Sequence, residues 1–245
     1  MMIKLIVCDL DGTLLPYGQD TISERILVRI DSLLSKGLYF AVSSGRVYSE
    51  LVEYLPSFAD RIYFVSSDGA LITHRDKVIF HKYFSCDALS FAINSSSDTT
   101  LLFYGQKDIY SYNCSESDIS GTVKILKPFD IKCPIYKIVS KGDPIKNFEG
   151  LYSRIHYSDG MICEYVPPYA NKGVALGALQ RHLGVSVYET LAMGDSVNDI
   201  PMMKNAKYSC AIGNSSPRLN GFCRFFFESV DTVLEKVWIN HNFDV

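Results

Sequence analysis

The first apolar run, IKLIVC at 3–8, is β-rich and ends on acidic residues, as a strand buried in a parallel sheet does. The stretch Glu24 to Lys36 repeats apolar residues at Ile26, Leu27, Ile30, Leu33 and Leu34. That spacing predicts a helix, with Ser23 as its N-cap and Gly37 as its stop. LYFAVSS (38–44) predicts a second buried strand, residues 46–55 a helix closed near Pro56, and IYFVSS (62–67) a third strand. The order β-α-β-α-β is the pattern of a doubly wound parallel sheet.

The pattern changes after Gly69. ALITHRDKVIFHKYF predicts a hairpin turning near Arg75 and Asp76. A helix-like segment at 85–95 follows, and then short alternating strands in LLFYG, IYSYN, TVKIL, YKIVS and ICEYV. From Lys172 the α/β rhythm returns: helix 172–183, strand 188–193, helix 199–204, strands 207–212 and 222–227, and helix 231–240. FCRFFFESV (222–230) reads as a core strand. These patterns predict a core of residues 1–82 and 169–245 interrupted by an inserted α+β domain at 83–168.

The 245 residues carry 24 basic and 27 acidic side chains, a net charge of −3, with 47% hydrophobic and 21% charged residues. That composition excludes a disordered chain and argues against nucleic acid as a partner. No apolar run is long enough to span a membrane, and the first one does not form a signal peptide. The seven cysteines form no C-x-x-C pair, which predicts free buried thiols in a reducing, cytoplasmic compartment. His74, His81, His156, His182 and His241 show no ligand spacing and read as structural or surface residues. Tyr104, Tyr110, Tyr112, Tyr136, Tyr152, Tyr157 and Tyr165 read as half-buried sheet faces.

Four short segments carry candidate chemistry, each at the end of a strand or the start of a helix. In Asp9-Leu10-Asp11-Gly12-Thr13, strand alternation points Asp9 and Asp11 the same way. Two carboxylates that close repel by about 4 kcal/mol at an effective dielectric near 20, so a cation is expected. Ser43-Ser44-Gly45-Arg46 places a hydroxyl and a glycine where a helix N-terminus would hold an anion. In Asn171-Lys172-Gly173 a lysine sits against the helix dipole and suits a phosphate. Gly194-Asp195-Ser196-Val197-Asn198-Asp199 adds acids beyond another strand, and hard oxygen ligands of this kind suit Mg²⁺. Ligands bind open parallel sheets beyond these strand ends, so the four segments are expected to converge.

DLDGTLL, SSGR, NKG and GDSVNDIPMM resemble, in order and spacing, the four motifs of the haloacid dehalogenase (HAD) superfamily. The insertion resembles the cap of its Cof-type (type IIB) phosphatases. The resemblance implies a Rossmann-like α/β core with an inserted α+β cap and Mg²⁺-dependent hydrolysis of small phosphorylated metabolites, sugar phosphates first. It implies Asp9 as nucleophile and Asp11 as general acid and then base. Mg²⁺ would be held by Asp9, the Asp11 backbone carbonyl and Asp195. Ser44, Gly45, Lys172 and Asn198 would hold the phosphoryl group, Thr13 would fix the Asp11 loop, and Asp199 would orient Lys172 or metal-bound water. An acid at Asp11 favours a phosphomonoesterase or a phosphomutase such as phosphomannomutase over a dehalogenase. A non-catalytic phosphometabolite-binding protein is the alternative from another class, and the chain is expected to be a monomer or homodimer. SSDGA (66–70) stands where relatives show Asn-Gly, and IGNSS (212–216) where they show Asn-Ala. Arg154, His156, Glu164 and Tyr165 are expected to face the site from the cap.

Overall fold

The computed structural model describes residues 2–96, 99–114, 122–148, 153–156 and 162–240, without the side chains of 153–156 and 240. Tyr152, Tyr157 and His241 lie outside the described residues, as do the side chains of Arg154 and His156.

The first half of the core runs β1 (Leu5–Asp9), α1 (Glu24–Ser35), β2 (Tyr39–Ser43), α2 (Tyr48–Tyr54), β3 (Tyr63–Ser66), β4 (Leu71–His74) and β5 (Lys77–His81). Ser23 caps α1 as expected, accepting from the Ile26 amide. The β4–β5 hairpin turns through Arg75 and Asp76, with φ of 51° and 61°. Both central residues in the left-handed region match the twist of the flanking strands. The next segment holds α3 (Cys86–Asn94), β6 (Thr100–Tyr104), β7 (Ile109–Tyr112), β8 (Val123–Lys124), β9 (Lys137–Lys141), β10 (Ser153–His156) and β11 (Ile162–Val166). The chain then returns through α4 (Lys172–Leu183), β12 (Thr190–Gly194), α5 (Ile200–Met203), β13 (Tyr208–Ile212), β14 (Phe225–Phe227) and α6 (Val230–Asn240).

Two sheets result. One has eight strands in the order β14-β13-β12-β1-β2-β3-β4-β5, parallel from β14 to β3 and antiparallel through the hairpin. Alternation along β1 feeds two cores. Ile6 and Cys8 pack with Ile26 and Ile30 of α1 and Val233 and Val237 of α6. Leu5 and Val7 pack with Ala175, Leu176 and Leu179 of α4. Burial on both faces explains why these strands read as unbroken apolar runs. The second sheet has the order β10-β11-β9-β6-β7-β8 and is antiparallel except where β7 meets β8. One of its faces supplies Leu101, Phe103, Ile138, Cys163 and Tyr165 to a third core beneath α3.

Several expectations change in detail. The sequence SRIH at β10 has one apolar residue and gave no strand signal, yet it pairs with β11. The 222–227 strand shortens to the edge strand β14, with Phe226 exposed. The 199–204 helix keeps only four α-helical residues, because a 3₁₀ turn at Val197–Asp199 precedes Pro201. The cysteines are expected to be buried, but Cys86 is exposed and Cys114 and Cys133 are half-buried. No helix among the described residues is long and apolar enough to cross a membrane.

Candidate active site

β1, β2 and β12 are adjacent and parallel, so their carboxyl ends open at one rim. Asp9 closes β1 there and is buried. The chain then turns sharply: the amides of Thr13 and Leu14 donate to the carbonyls of Leu10 and Asp9. Gly12 makes the turn at φ +80°. A Cβ at Gly12 would lie 2.5 Å from Asp195 Oδ2 and 2.6 Å from the Tyr17 ring, so conformation and space both demand glycine.

Lys172 begins α4. Asn171 caps that helix, its side-chain oxygen accepting from the Gly173 and Val174 amides at 3.0 and 2.9 Å. The cap aims the lysine inward rather than to solvent. The Lys172 Nζ donates to Asp9 Oδ1 at 2.5 Å and to Asp199 Oδ1 at 2.6 Å. Burial alone would lower the ammonium's pKa, but the charges of Asp199 and Asp9 outweigh it and raise it above the ordinary lysine value. Burial, then the Asp199 charge, pushes the Asp9 carboxyl up, while Lys172 works against both.

Asp195 follows β12. Its Oδ1 accepts from Thr13 Oγ1 at 3.1 Å and its Oδ2 from the Tyr17 hydroxyl at 3.0 Å. Burial, and next Asp199, raises the Asp195 carboxyl, and the two hydroxyls oppose that. Burial and Asp195 in turn push the Tyr17 phenol up to about 12.

Asp9, Asp195 and Asp199 each present a carboxylate oxygen within 4.8 Å of the others, all buried. Three carboxylates against the Lys172 ammonium leave two uncompensated negative charges, which a divalent cation matches. The donors are not equivalent. Asp199 is already satisfied: Oδ1 takes the lysine, and Oδ2 takes the Asp195 and Ser196 amides at 3.0 Å each. Asp9, held by Lys172 through one oxygen, and Asp195, held by one hydroxyl on each oxygen, carry fewer donors than Asp199 and keep lone pairs for an ion, and their hard oxygens fit Mg²⁺.

Asp11 corrects the simple strand argument. β1 ends at Asp9, so Asp11 does not share its direction by strand alternation. Its carboxylate is gripped by Arg46, Nη2 to Oδ1 at 2.7 Å and Nε to Oδ2 at 2.9 Å, with Ser44 Oγ at 3.4 Å from Oδ2. Each acid of the first motif thus has its own cationic side chain, Lys172 or Arg46. The Ser44-Gly45 loop is also not a helix N-terminus. Val47 is extended, and α2 starts only at Tyr48, without a side-chain cap. The loop is shaped instead by Ser44 Oγ, which accepts from the Arg46 amide at 3.1 Å, and by Asp68.

Asp68 sits at φ +52° between Ser67 and Gly69, a run of three positive φ values. Its Oδ1 accepts from Asn198 Nδ2 at 3.2 Å, so Asn198 reaches the loop through Asp68. Its buried Oδ2 has no hydrogen-bond partner and would lie 3.1 Å from a Cβ at Gly45.

A cavity of about 1120 Å³ opens over this rim, lined by Asp9, Asp11, Ser44 and Gly45 below and by Tyr104, Lys137, Val139 and Glu164 of the second sheet. Glu164 faces it as expected. Tyr165 does not: it points into the cap core, where its hydroxyl accepts from the Ile145 amide at 3.0 Å. Neighbours on a strand face opposite ways, so both residues could not have lined it. Sequence reasoning missed Tyr17 and Lys137. Tyr17 lies in a loop without periodicity. Lys137 had a signal, a lysine inside the otherwise apolar strand YKIVS.

A family model described as haloacid dehalogenase-like hydrolase matches residues 6–233. The chain is 23% identical over 245 residues to the 5-amino-6-(5-phospho-D-ribitylamino)uracil phosphatase YbjI of Escherichia coli (strain K12), covering 88% of this chain and 87% of that protein. It is 25% identical over 245 residues to the HMP-PP phosphatase of Cronobacter sakazakii, covering 89% of this chain and 87% of that one. Among solved structures, the HAD subclass IIB sugar phosphatase BT4131 superposes with a TM-score of 0.76 at 16% identity, over 95% of this chain and 98% of that one.

Proposed function

The chain belongs to the haloacid dehalogenase-like hydrolases and is a phosphatase; from that premise we propose that it hydrolyses small phosphate monoesters, sugar phosphates first, through an aspartyl-phosphate on Asp9 with Mg²⁺ as cofactor. One observation carries this reading. Residues from three distant segments, Asp9, Lys172, and Asp195 with Asp199, meet in one buried, hydrogen-bonded cluster at the rim of a parallel sheet.

Asp9 attacks phosphorus through the carboxylate oxygen that Lys172 does not hold, and the ester P–O bond breaks. Asp11 gives a proton to the departing alcohol oxygen, then takes one from the water that cleaves the Asp9–phosphorus bond. The products are alcohol and inorganic phosphate. Asp11 reaches the reacting oxygen by leaving the Arg46 fork, whose partners are both partly exposed. Ser44 Oγ and the Gly45 amide hold the phosphoryl oxygens, and Asn198 supports them. Lys172 offsets negative charge at Asp9, Asp199 holds Lys172, and Thr13 fixes Asp195. Asp9, Asp195 and the Asp11 backbone carbonyl hold Mg²⁺, which when bound supplies the charge that lets an anionic nucleophile meet an anionic phosphoryl group. Residues 83–168 serve as a cap that closes the cavity and excludes bulk water. Four buried cysteines, Cys8, Cys163, Cys210 and Cys223, fit a reducing, cytoplasmic setting.

The test is phosphate release with Mg²⁺ across sugar phosphates, nucleotides and cofactor phosphates, by wild type and Asp9→Asn. Free phosphate from wild type and its loss by at least about a thousandfold in Asp9→Asn, with an unchanged circular dichroism spectrum, is the expected outcome. An Asp9→Asn protein that still turns over near the wild-type rate overturns the covalent role.

A further inference from the structure

One wall of the cavity is a single face of the second sheet. β6 and β9 pair Tyr104 with Lys137, and β11 and β9 pair Glu164 with Val139. These four residues therefore form one contiguous patch, while Phe103, Ile138 and Tyr165 on the opposite face belong to the cap core. Two of the four are charged and largely removed from solvent. Lys137 Nζ lies 2.5 Å from Glu164 Oε2, with side chains 6% and 12% exposed. The same ammonium donates to the Gly45 carbonyl at 2.9 Å, crossing from the second sheet to the Ser44-Gly45 loop.

A buried ion pair is a poor device for holding two surfaces together. Its desolvation offsets most of its Coulomb gain, and apolar residues of similar size would do as well. Its position suits recognition instead. The reading that Ser44 and Gly45 hold the phosphoryl group, on which this inference rests, makes the ester oxygen leave into the cavity that Lys137 and Glu164 line. An ammonium only donates hydrogen bonds, and a carboxylate only accepts them. Placed side by side, they match two neighbouring hydroxyls, each of which can do both. The Tyr104 ring, partly buried beside them, offers an apolar face to the C–H groups of a carbon chain. Because Glu164 neutralises Lys137, the pair offers little to a second phosphate.

We propose that Lys137, Glu164 and Tyr104 form the leaving-group subsite, and that it takes a polyhydroxylated alcohol through a pair of adjacent hydroxyls.

The experiment compares kcat/KM for ribitol 5-phosphate and glucose 6-phosphate with that for phenyl phosphate, whose leaving group has no further hydroxyl. Wild type favours the polyol esters, and Glu164→Gln lowers the polyol-to-phenyl ratio roughly ten- to a hundredfold, the worth of a hydrogen bond to a charged group. Most of the change lies in KM. Glu164→Gln leaves Lys137 without its counter-charge, so Lys137→Gln/Glu164→Gln, which strands neither charge, is measured beside it and shifts the ratio the same way. A merely structural role slows both ester classes alike and leaves the ratio constant, which overturns the proposal, as does a wild type that prefers phenyl phosphate. A wild type that releases phosphate from no ester refutes the phosphatase reading itself, a result distinct from an unmoved ratio.

Discussion

The Tyr17 hydroxyl donates to Asp195 Oδ2 at 3.0 Å, and the Tyr17 ring occupies the space that a side chain at Gly12 would need. Thr13 holds the other oxygen of the same carboxylate at 3.1 Å. The short loop after β1 therefore does two things: it carries Asp11, and it orients Asp195, which lies 178 residues further along the chain than Tyr17.

Hydroxyls that hydrogen-bond a metal-ligating carboxylate set its direction, and their loss typically costs about 10- to 100-fold in metal affinity. Tyr17→Phe keeps the ring over Gly12 and removes only the donor. We predict that it weakens Mg²⁺ binding by about that factor, measured by isothermal titration calorimetry without substrate. Unchanged or tighter binding would show that Tyr17 does not orient Asp195 for the ion.

The contrast between Tyr17 and Asp9 shows what was legible beforehand. Strand runs, the Ser23 cap and the acids at strand ends are local patterns, and local chemistry sets them. The partner of Asp11 is not local. Its strand stops two residues early, and the guanidinium that grips it comes from the loop after β2. The Lys137 contact with Gly45 depends on how the second sheet docks on the first, a relation set by long-range packing. Glu164 was legible only as a position near the site, while alternation along β11 decides that it, and not Tyr165, lines the cavity.

Acid sensitivity has an identifiable contributor away from the site. Glu189 Oε1 pairs with Lys4 Nζ at 2.7 Å, and Oε2 accepts from the Ser186 amide and hydroxyl. The Lys4 hydrogen bond, followed by those of Ser186, lowers its carboxyl from 4.5 to about 2. A lowered pKa means the unfolded chain binds more protons in that window, so stability falls as pH falls. The Glu189 contribution is fully present above pH 4.5 and is lost on the way to about 2. Glu189→Gln should flatten this part of the melting-temperature profile. A mutant profile parallel to wild type between pH 5 and pH 2, roughly this window, would exclude the assignment.

Two glycines of α4 should respond oppositely to the same substitution. A Cβ at Gly173 would lie 2.3 Å from the Pro201 carbonyl oxygen, a backbone atom that cannot step aside cheaply. Gly173→Ala should destabilise the protein by about 1–3 kcal/mol through overpacking. It should also lower turnover, because Lys172 is the adjacent residue. A Cβ at Gly177 meets only the end of the Arg181 side chain, at 3.6 Å. Gly177→Ala should be neutral or stabilising by up to about 1 kcal/mol, the helix propensity difference. Urea unfolding of both variants checks the sign, and a Gly173→Ala protein as stable as wild type would mean that α4 and α5 can separate freely.

Lys172 tests whether the acidic cluster is a cation site or simply a buried network. Its side chain is 1% exposed and lies between Asp9 and Asp199, which are 6% and 0% exposed. Lys172→Met keeps the length of the side chain and removes its charge. Two buried carboxylates then lose their counter-charge, a change that typically costs about 3–5 kcal/mol. In the absence of metal the variant should unfold that much more easily. An ion bound only by the folded state stabilises in proportion to its occupancy. Mg²⁺ should therefore raise the melting temperature more in Lys172→Met than in wild type, because the ion now offsets repulsion that the lysine had relieved. Lys172→Met/Asp199→Asn, which removes one of the stranded charges, should recover stability without Mg²⁺ and respond to the ion less than Lys172→Met alone. If Mg²⁺ leaves the Lys172→Met melt unmoved while the double variant is rescued, the carboxylates need a positive neighbour to fold but do not gather a divalent ion, and the assignment of Asp9 and Asp195 as its ligands fails.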